Sequence, residues 1–272
     1  MDIQAYLDRV GFTGVPRPDL ATLQALHRGH SLAIPYENLD VQLGRPLTTD
    51  PAAAFDKIVG RRRGGWCYEM NGVLGAILAE IGFRVTRLAG CAMRRERGEL
   101  ATANHLVLRV DLPEGPWIAD VGFGDGPRDA YPLREGPVVS GGFECRLERL
   151  DADWWRLTNH PFGGAPDFDF TLEPADEAVL AAKCHELQTA PDSGFVLNAV
   201  AQRHQEGEIR LLRGRTFRRI TPAGLAQETL IADADAFVAL LAAEFALDLP
   251  EAATLWPRIA ARHEELFAKA PA

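Results

Sequence analysis

The apolar residues of this chain change their spacing near residue 84, and this change constrains the fold more than any other feature. Up to that point they recur every three or four positions, which is typical of helices with one buried face. Helices are predicted over residues 3–10, from residue 20 after Asp19, over 51–59 and over 67–81, the last closed by Gly82. Residues 1–83 are therefore expected to form a small helical bundle.

Beyond residue 84, apolar and polar residues alternate, as in strands separated by Gly, Pro and Asp turns. The predicted strands cover residues 84–88, 106–112, 117–121, 144–150 and 154–158. Residues 84–190 are therefore expected to form an antiparallel sheet or barrel. Residues 191–272 mix both patterns, with a predicted hairpin around Glu206-Gly207 and two closing helices; these elements cover 195–203, 208–213, 234–245 and 251–267. The fold class is thus α+β in three parts.

The composition excludes several classes of protein. The chain has 272 residues, of which 47% are hydrophobic and 25% charged, with a net charge of −9. Nucleic acid is not expected as a partner, because phosphate binding needs an excess of Lys and Arg. The sequence has no apolar run of about 18 residues and no signal-peptide pattern, so no membrane span is predicted. The four cysteines contain no C-x-x-C pair, which predicts free thiols in a cytoplasmic protein and no metal site.

Cys67 is the candidate nucleophile among the four cysteines. It follows Gly64-Gly65 and begins the predicted helix 67–81, where free N–H groups and the helix dipole stabilise a thiolate. The two glycines are expected to allow close backbone approach and a positive φ. The other cysteines are expected to be buried structural residues; they are Cys91, Cys145 and Cys184.

A thiolate nucleophile also needs a base and a third group that orients the base. His105 begins the strand 106–112, and Asp120 ends the next strand, where an acidic residue is unusual unless it is paired. The remaining histidines are expected outside the site, one in a loop (His160) and five facing solvent: His27, His30, His185, His204 and His263.

The geometry of the hairpin can be worked out from the sequence. If residues 113 and 114 form a two-residue turn, positions that face each other sum to 227, and Asp120 faces Val107. His105 is then a diagonal neighbour of Asp120 on the same face, about 7–8 Å away at Cα. A four-residue turn keeps this arrangement, whereas an odd-length turn without a bulge breaks it. The sequence leaves both open.

Three separated segments resemble the catalytic segments of the arylamine N-acetyltransferase family, in the same order and at similar separations. They read RGGWCYEMN at 63–71, NHLVL at 104–108 and IADVGFG at 118–124. A fourth segment, IPYENLD at 34–40, is similar to the motif that lines the acceptor pocket in that family. The resemblance covers roughly residues 30–125 and is weaker around Ser193, Phe195 and 214–215.

The resemblance implies a helical bundle (1–83), a central antiparallel β-barrel (84–190) and a C-terminal α/β lid (191–272). It implies a papain-like triad of Cys67, His105 and Asp120 between the first two parts. It also implies ping-pong transfer of an acetyl group from acetyl-CoA, through a thioester on Cys67, to an aromatic amine, hydrazine or N-hydroxyarylamine oxygen, as in xenobiotic metabolism. Acetyl-CoA is then a co-substrate, and no metal or tightly bound prosthetic group is expected.

Further residues are expected to line or support such a site. The expected substrate contacts are Tyr36, Trp66, Tyr68, Phe123, Gly124 and Phe195. The expected supporting residues are Glu37, Arg63 and Asn71, with Glu37 and Arg63 paired to brace the loop before Cys67. The sequence departs from the family pattern at Asn104, where Thr or Ser is common, and at Tyr36, where many members have Phe. Both positions bear on acceptor choice.

Two other functions use the same residues differently. A related amide synthase or thioester hydrolase would share the triad and lack amine-dependent consumption of acetyl-CoA. A binding protein that has lost activity would form no acyl-enzyme, and the complete triad argues against it. A homo-oligomer is left open by the sequence.

Overall fold

In the computed structural model, which describes residues 1–267, the N-terminal part is a set of short helices around one long buried helix. Its elements are α1 (Ile3–Val10), α2 (Leu20–Ala33), β1 (Tyr36–Glu37), α3 (Leu39–Gln42), α4 (Pro51–Phe55), a π-helical turn (Asp56–Gly60) and α5 (Cys67–Ile81). Asp2 and Asp19 cap α1 and α2, and Gly82, with φ of 109°, ends α5. The predicted helical bundle is confirmed, and α1 and α5 have the predicted bounds.

The central part is a nearly closed antiparallel barrel, as predicted. Its elements are β2 (Arg84–Ala92), α6 (Arg94–Arg97), a 3₁₀ turn (Gly98–Ala101), β3 (His105–Leu112), β4 (Gly115–Ala119), β5 (Tyr131–Pro132), β6 (Gly136–Ser140), β7 (Phe143–Arg149), β8 (Trp154–Thr158) and β9 (Asp167–Pro174). The eight strands lie in the order β5-β4-β3-β2-β9-β8-β7-β6. Aromatic and branched residues from the inner faces, including Phe168 and Phe170, fill the interior.

The C-terminal part places helices against a second, five-stranded sheet. Its elements are α7 (Glu177–Thr189), α8 (Gly194–Leu197), β10 (Val200–Gln205), β11 (Glu208–Arg213), β12 (Thr216–Thr221), β13 (Gly224–Leu230), α9 (Ala234–Phe245), a 3₁₀ turn (Pro250–Leu255) and α10 (Trp256–Phe267). The predicted hairpin at residues 206 and 207 is confirmed, since Gln205 faces Glu208. The predicted strand 195–203 is wrong at its start, because Ser193 caps a short helix there and the strand begins at Val200.

The three parts meet at the N-terminus of α5. The two-residue strand β1 joins the edge of the C-terminal sheet by pairing with β10, and it also bridges to Gly65. One face of α5 packs on β3 and β4 through a shared apolar core. Residues of α7 pack around Trp66 and Cys67. Within residues 1–267, the helices are too short or too polar to cross a membrane.

Candidate active site

Cys67 is the first residue of α5 and has 3% of its surface exposed. The N–H groups of a first helical turn have no partner within the helix, and with the helix dipole they stabilise an anion there. The Cys67 sulfur lies 3.9 Å from the backbone oxygen of Asn104, the residue before His105. The prediction that Cys67 begins this helix is confirmed.

The two glycines before Cys67 serve close packing, and the positive φ expected of them is not found. A Cβ on Gly64 would overlap the backbone oxygen of Pro35, and one on Gly65 would lie 2.9 Å from the Cβ of Glu69. Because neither residue has a side chain, the loop runs directly beside β1, where the N–H of Glu37 donates to the Gly65 oxygen at 2.9 Å.

His105 and Asp120 form a buried pair with 2.7 Å between Nε2 and Oδ2. The register of β3 and β4 brings them together, because Leu112 faces Gly115 and facing positions sum to 227, as expected for a two-residue turn. Burial lowers the pKa of His105, but the Asp120 carboxylate and then the Cys67 sulfur outweigh burial and raise that pKa to about 10. Burial raises the pKa of Asp120, and its hydrogen-bonded neighbours, His105 first, lower it overall. The Asp120 carboxylate thus favours the protonated imidazole, and because Nε2 is bonded to Asp120, Nδ1 is the ring nitrogen left for Cys67.

The Asp120 carboxylate is held by Asn71 and by the chain that follows it. Asn71, on α5, donates from Nδ2 to Oδ1 of Asp120 at 2.7 Å and accepts the N–H of Val121 at 2.9 Å. The N–H of Gly122 donates to the same Oδ1 at 2.9 Å. A Cβ on Gly122 would lie 2.7 Å from the Cα of Cys67, so only glycine lets this segment approach Cys67 so closely. Asn71, predicted as a supporting residue, therefore contacts the carboxylate directly.

The expectation of solvent-facing histidines is wrong for three residues, which are buried: His27, His30 and His204. On α2, His27 and His30 continue the buried stripe of Leu23 and Leu26, and this spacing is the sequence signal that places them inside. The Nε2 atom of His27 accepts a hydrogen bond from the backbone N–H of Asp120 at 2.9 Å. A residue of α2 thus reaches the His105–Asp120 pair.

Near the start of α5 lies a buried charge cluster that we call the anchor cluster. It consists of Glu37, Asp40, Lys57, Arg63 and Glu69. The predicted pair is present, with 2.7 Å between Arg63 Nη2 and Glu37 Oε1. Lys57 Nζ lies 2.9 Å from Glu69 and 3.2 Å from Asp40. The roles of Lys57, Asp40 and Glu69 were missed from the sequence, and no local pattern identifies them.

The predicted substrate-contacting aromatic residues differ in accessibility. Trp66 and Tyr68 are completely buried, and the Tyr68 hydroxyl donates to the Ala103 oxygen at 2.7 Å. Phe123 lies with its ring centroid 5.4 Å from that of His105, and Phe195 lies 5.2 Å from Trp66. Tyr36 lines a small cavity beside Asp120 together with Gly124. Tyr36 and Phe123 each have 9% of their surface exposed, and Gly124 and Phe195 are partly exposed.

A cysteine at a helix N-terminus, beside a hydrogen-bonded histidine–carboxylate pair, is suited to nucleophilic attack on an acyl group. Within residues 1–267, no group of three or more His, Cys, Asp or Glu side chains is arranged to hold a metal ion.

Comparison with known proteins gives a consistent result. A family model described as N-acetyltransferase matches residues 19–254. The arylamine N-acetyltransferase of Mycolicibacterium smegmatis is 40% identical over 79% of this chain and 81% of that protein. The arylamine N-acetyltransferase of Mycobacterium tuberculosis is 34% identical over 100% of this chain and 98% of that protein.

Solved structures agree with the sequences. The structure of the M. smegmatis arylamine N-acetyltransferase superposes with a TM-score of 0.87 at 34% identity, covering 96% of this chain and 98% of that chain. That of Mycobacterium marinum arylamine N-acetyltransferase, solved in complex with CoA, gives a TM-score of 0.84 at 31% identity, covering 97% and 99%. On its sequence, its fold and the match over residues 19–254, the chain belongs to the arylamine N-acetyltransferase family.

Proposed function

We propose that this protein transfers an acetyl group from acetyl-CoA, through a thioester on Cys67, to an aromatic amine, hydrazine or N-hydroxyarylamine oxygen. The single observation that carries the proposal is the His105–Asp120 pair, 2.7 Å apart, whose imidazole pKa is raised to about 10 by Asp120 and Cys67 against the effect of burial. Its membership of the arylamine N-acetyltransferase family gives the substrate class.

In the first half-reaction, the Cys67 thiolate attacks the carbonyl carbon of the acetyl thioester. Backbone N–H groups at the start of α5, including that of Cys67, stabilise the oxyanion of the tetrahedral intermediate. The bond from carbon to the CoA sulfur then breaks, and the CoA thiolate takes the proton of the His105 imidazolium. Cys67 is left as an acetyl thioester and His105 as a neutral imidazole. Asp120 keeps the ring oriented throughout.

In the second half-reaction, the acceptor amine attacks the acetyl carbon on Cys67. The carbon–nitrogen bond forms, the bond to the Cys67 sulfur breaks, and the proton lost by the amine goes to His105. The thiolate–imidazolium pair is restored. We assign the walls for a flat acceptor to Tyr36, Phe123, Gly124 and Phe195, because these positions keep exposed surface near Cys67. The free thiols of all four cysteines support a cytoplasmic location.

The test is intact-protein mass spectrometry after mixing with acetyl-CoA and then with a panel of arylamines and arylhydrazines. We expect a gain of one acetyl group on Cys67, followed by its loss only when an acceptor is present. The variant Cys67→Ser serves as the control and should gain no acetyl group that an acceptor can remove.

Three outcomes contradict the proposal. Failure to form an acyl-enzyme supports a binding protein without activity. Loss of the acetyl group to water, at a rate that no acceptor increases, supports a thioester hydrolase. Transfer to amines other than aromatic ones would support a related amide synthase.

A further inference from the structure

Three successive backbone N–H groups after β4 are bound by side chains instead of a neighbouring strand. The N–H of Gly122 donates to Asp120 and that of Val121 to Asn71, each at 2.9 Å. The N–H of Asp120 itself donates to Nε2 of His27, also at 2.9 Å. The ladder between β3 and β4 ends one residue earlier, at Ala119. His27 therefore supplies the acceptor that the sheet does not supply at Asp120.

The two hydrogen bonds of His27 define its protonation state. Its Nδ1 lies 2.9 Å from the backbone oxygen of Arg128, and a carbonyl oxygen can only accept. Its Nε2 faces the N–H of Asp120, which can only donate. The ring must therefore carry its proton on Nδ1 and be neutral, since a proton on Nε2 would point at another donor. Burial lowers the pKa of His27, outweighing its contacts with Arg128, Asp120 and Asp129, in keeping with the neutral form.

His27 joins both ends of the segment 120–128, which also carries Phe123 and Gly124. Two other residues on the same face of α2 hold the chain just beyond it. Gln24 donates to the Ala130 oxygen at 2.7 Å, and Arg28 pairs with Asp129 at 2.6 Å. Of these three attachments, that of His27 reaches the triad.

We propose that His27, neutral and protonated on Nδ1, is a positioning residue that fixes the backbone at Asp120 and so aims the carboxylate at His105. The catalytic consequence rests on the proposed function, whereas the alignment itself can be measured without turnover. A shift of Asp120 by about 1 Å would lengthen its 2.7 Å bond to His105 beyond good hydrogen-bond geometry. Misplacement on that scale costs on the order of 10²-fold in rate.

Two substitutions separate the two hydrogen bonds. In His27→Gln, the amide oxygen lies near the position of Nε2 and can still accept from Asp120, while the bond to Arg128 is lost. In His27→Asn, the amide nitrogen lies near Nδ1 and can still donate to Arg128, while the N–H of Asp120 has no acceptor. His30→Asn is the matched control, because His30 is equally buried on the same helix and bonds to the Tyr6 hydroxyl at 2.9 Å.

Three readouts are needed: acetyl transfer per folded molecule, the rate of Cys67 alkylation against pH, and thermal stability. We expect His27→Asn to lose transfer roughly 10²-fold and to shift the alkylation profile to higher pH. We expect His27→Gln to stay within about tenfold of the wild type with little shift, and His30→Asn to lose stability without a change of profile. Equal effects of the two His27 variants, or unchanged transfer and profile in both, would overturn the proposal.

A measurement on the wild-type protein does not depend on the folding of any variant. Nitrogen-15 NMR of the histidine rings should show a neutral His27 with its proton on Nδ1, and a proton on Nε2 would overturn the proposal. If the wild type forms no acyl-enzyme, the proposed function fails, and the alkylation profile and the tautomer still decide the role of His27.

Discussion

Glu69 should make the stability of the nucleophile's helix depend on pH. It lies two residues after Cys67 with 3% of its surface exposed, and it accepts from Lys57 at 2.9 Å and from the N–H of Trp66 at 3.3 Å. Lys57, the cation paired with Glu69, also lies within 4 Å of Glu37 and Asp40, so its charge is shared among three carboxylates. Burial raises the pKa of Glu69 to about 7, although Lys57 opposes this.

The size of the effect follows from the difference between the folded and unfolded chain. The ordinary pKa of a glutamate is 4.5, against about 7 for Glu69 in the folded protein. The folded state therefore binds the proton more tightly, and stability falls as pH rises above 4.5 until the folded pKa is passed. Between about pH 5 and about pH 8, this loss is on the order of 2–3 kcal/mol in the free energy of unfolding.

The substitution Glu69→Gln isolates this effect. Glutamine keeps an oxygen for the N–H of Trp66 and for Lys57 but cannot ionise. Denaturant unfolding of the variant and the wild type at about pH 5 and about pH 8 gives two differences in unfolding free energy. From about pH 5 to about pH 8, the free energy of unfolding of the variant relative to that of the wild type should rise by an amount on the order of 2–3 kcal/mol. The variant and the wild type contain the same buried histidines, such as His204, whose protonation changes stability over an overlapping pH range. Their contribution is therefore removed when the unfolding free energies of the two proteins are subtracted.

Glu80→Gln is the control, because Glu80 lies on the same helix with 41% of its side chain exposed. The difference in unfolding free energy between Glu80→Gln and the wild type should be the same at the two pH values to within about 0.5 kcal/mol. A difference for Glu69→Gln that is equally flat would refute the idea that the anchor cluster holds a proton at Glu69.

Three predictions concern the triad. Iodoacetamide should modify Cys67 first and abolish transfer, because burial raises the pKa of Cys145 and of Cys184 to about 12. If another cysteine is modified earlier and activity is lost at the same rate, the assignment of Cys67 is wrong. Cys67→Ser should keep the melting temperature within a few degrees and lower turnover by several orders of magnitude, and more than about a tenth of the wild-type rate would exclude thioester chemistry. Asp120→Asn should lower turnover roughly 10²–10³-fold and move the alkylation profile to higher pH, whereas near-normal turnover per folded molecule with lost stability would make Asp120 structural.

The elements that could be predicted from the sequence are those fixed by local signals. The bounds of α1 and α5 follow from a helical spacing and a glycine at the C-terminus, and the β3–β4 register is the one expected for a two-residue turn. The strand β1 has only two residues and pairs with β10, far along the chain, so no local periodicity reveals it. The start of the predicted strand 195–203 failed because one side chain, Ser193, caps a helical turn within an apolar run.

In the candidate site, too, some residues could be predicted from local sequence signals and others could not. Cys67 and His105 each begin an element and Asp120 directly follows one, and a reactive or ionisable residue is conspicuous in the sequence at such positions. The partners that hold them are not conspicuous, because their contacts join distant segments. His27 binds a backbone group 93 residues away. Lys57 is inside a short helical stretch, where a lysine is normally expected to be exposed to solvent. Only the fold places it among three carboxylates.

The first turns of α5 are attached through buried polar groups to each surrounding part of the chain. Glu69 binds Lys57, the Tyr68 hydroxyl binds the loop before β3, and Asn71 binds the segment after β4. A movement of this helix end would therefore leave at least one buried donor or acceptor without a partner, at a cost of about 1–3 kcal/mol each. In the proposed reaction, negative charge moves from the Cys67 sulfur to the oxyanion, and groups that are already in place stabilise it best. These attachments hold Cys67 in a fixed position relative to His105 before any substrate binds.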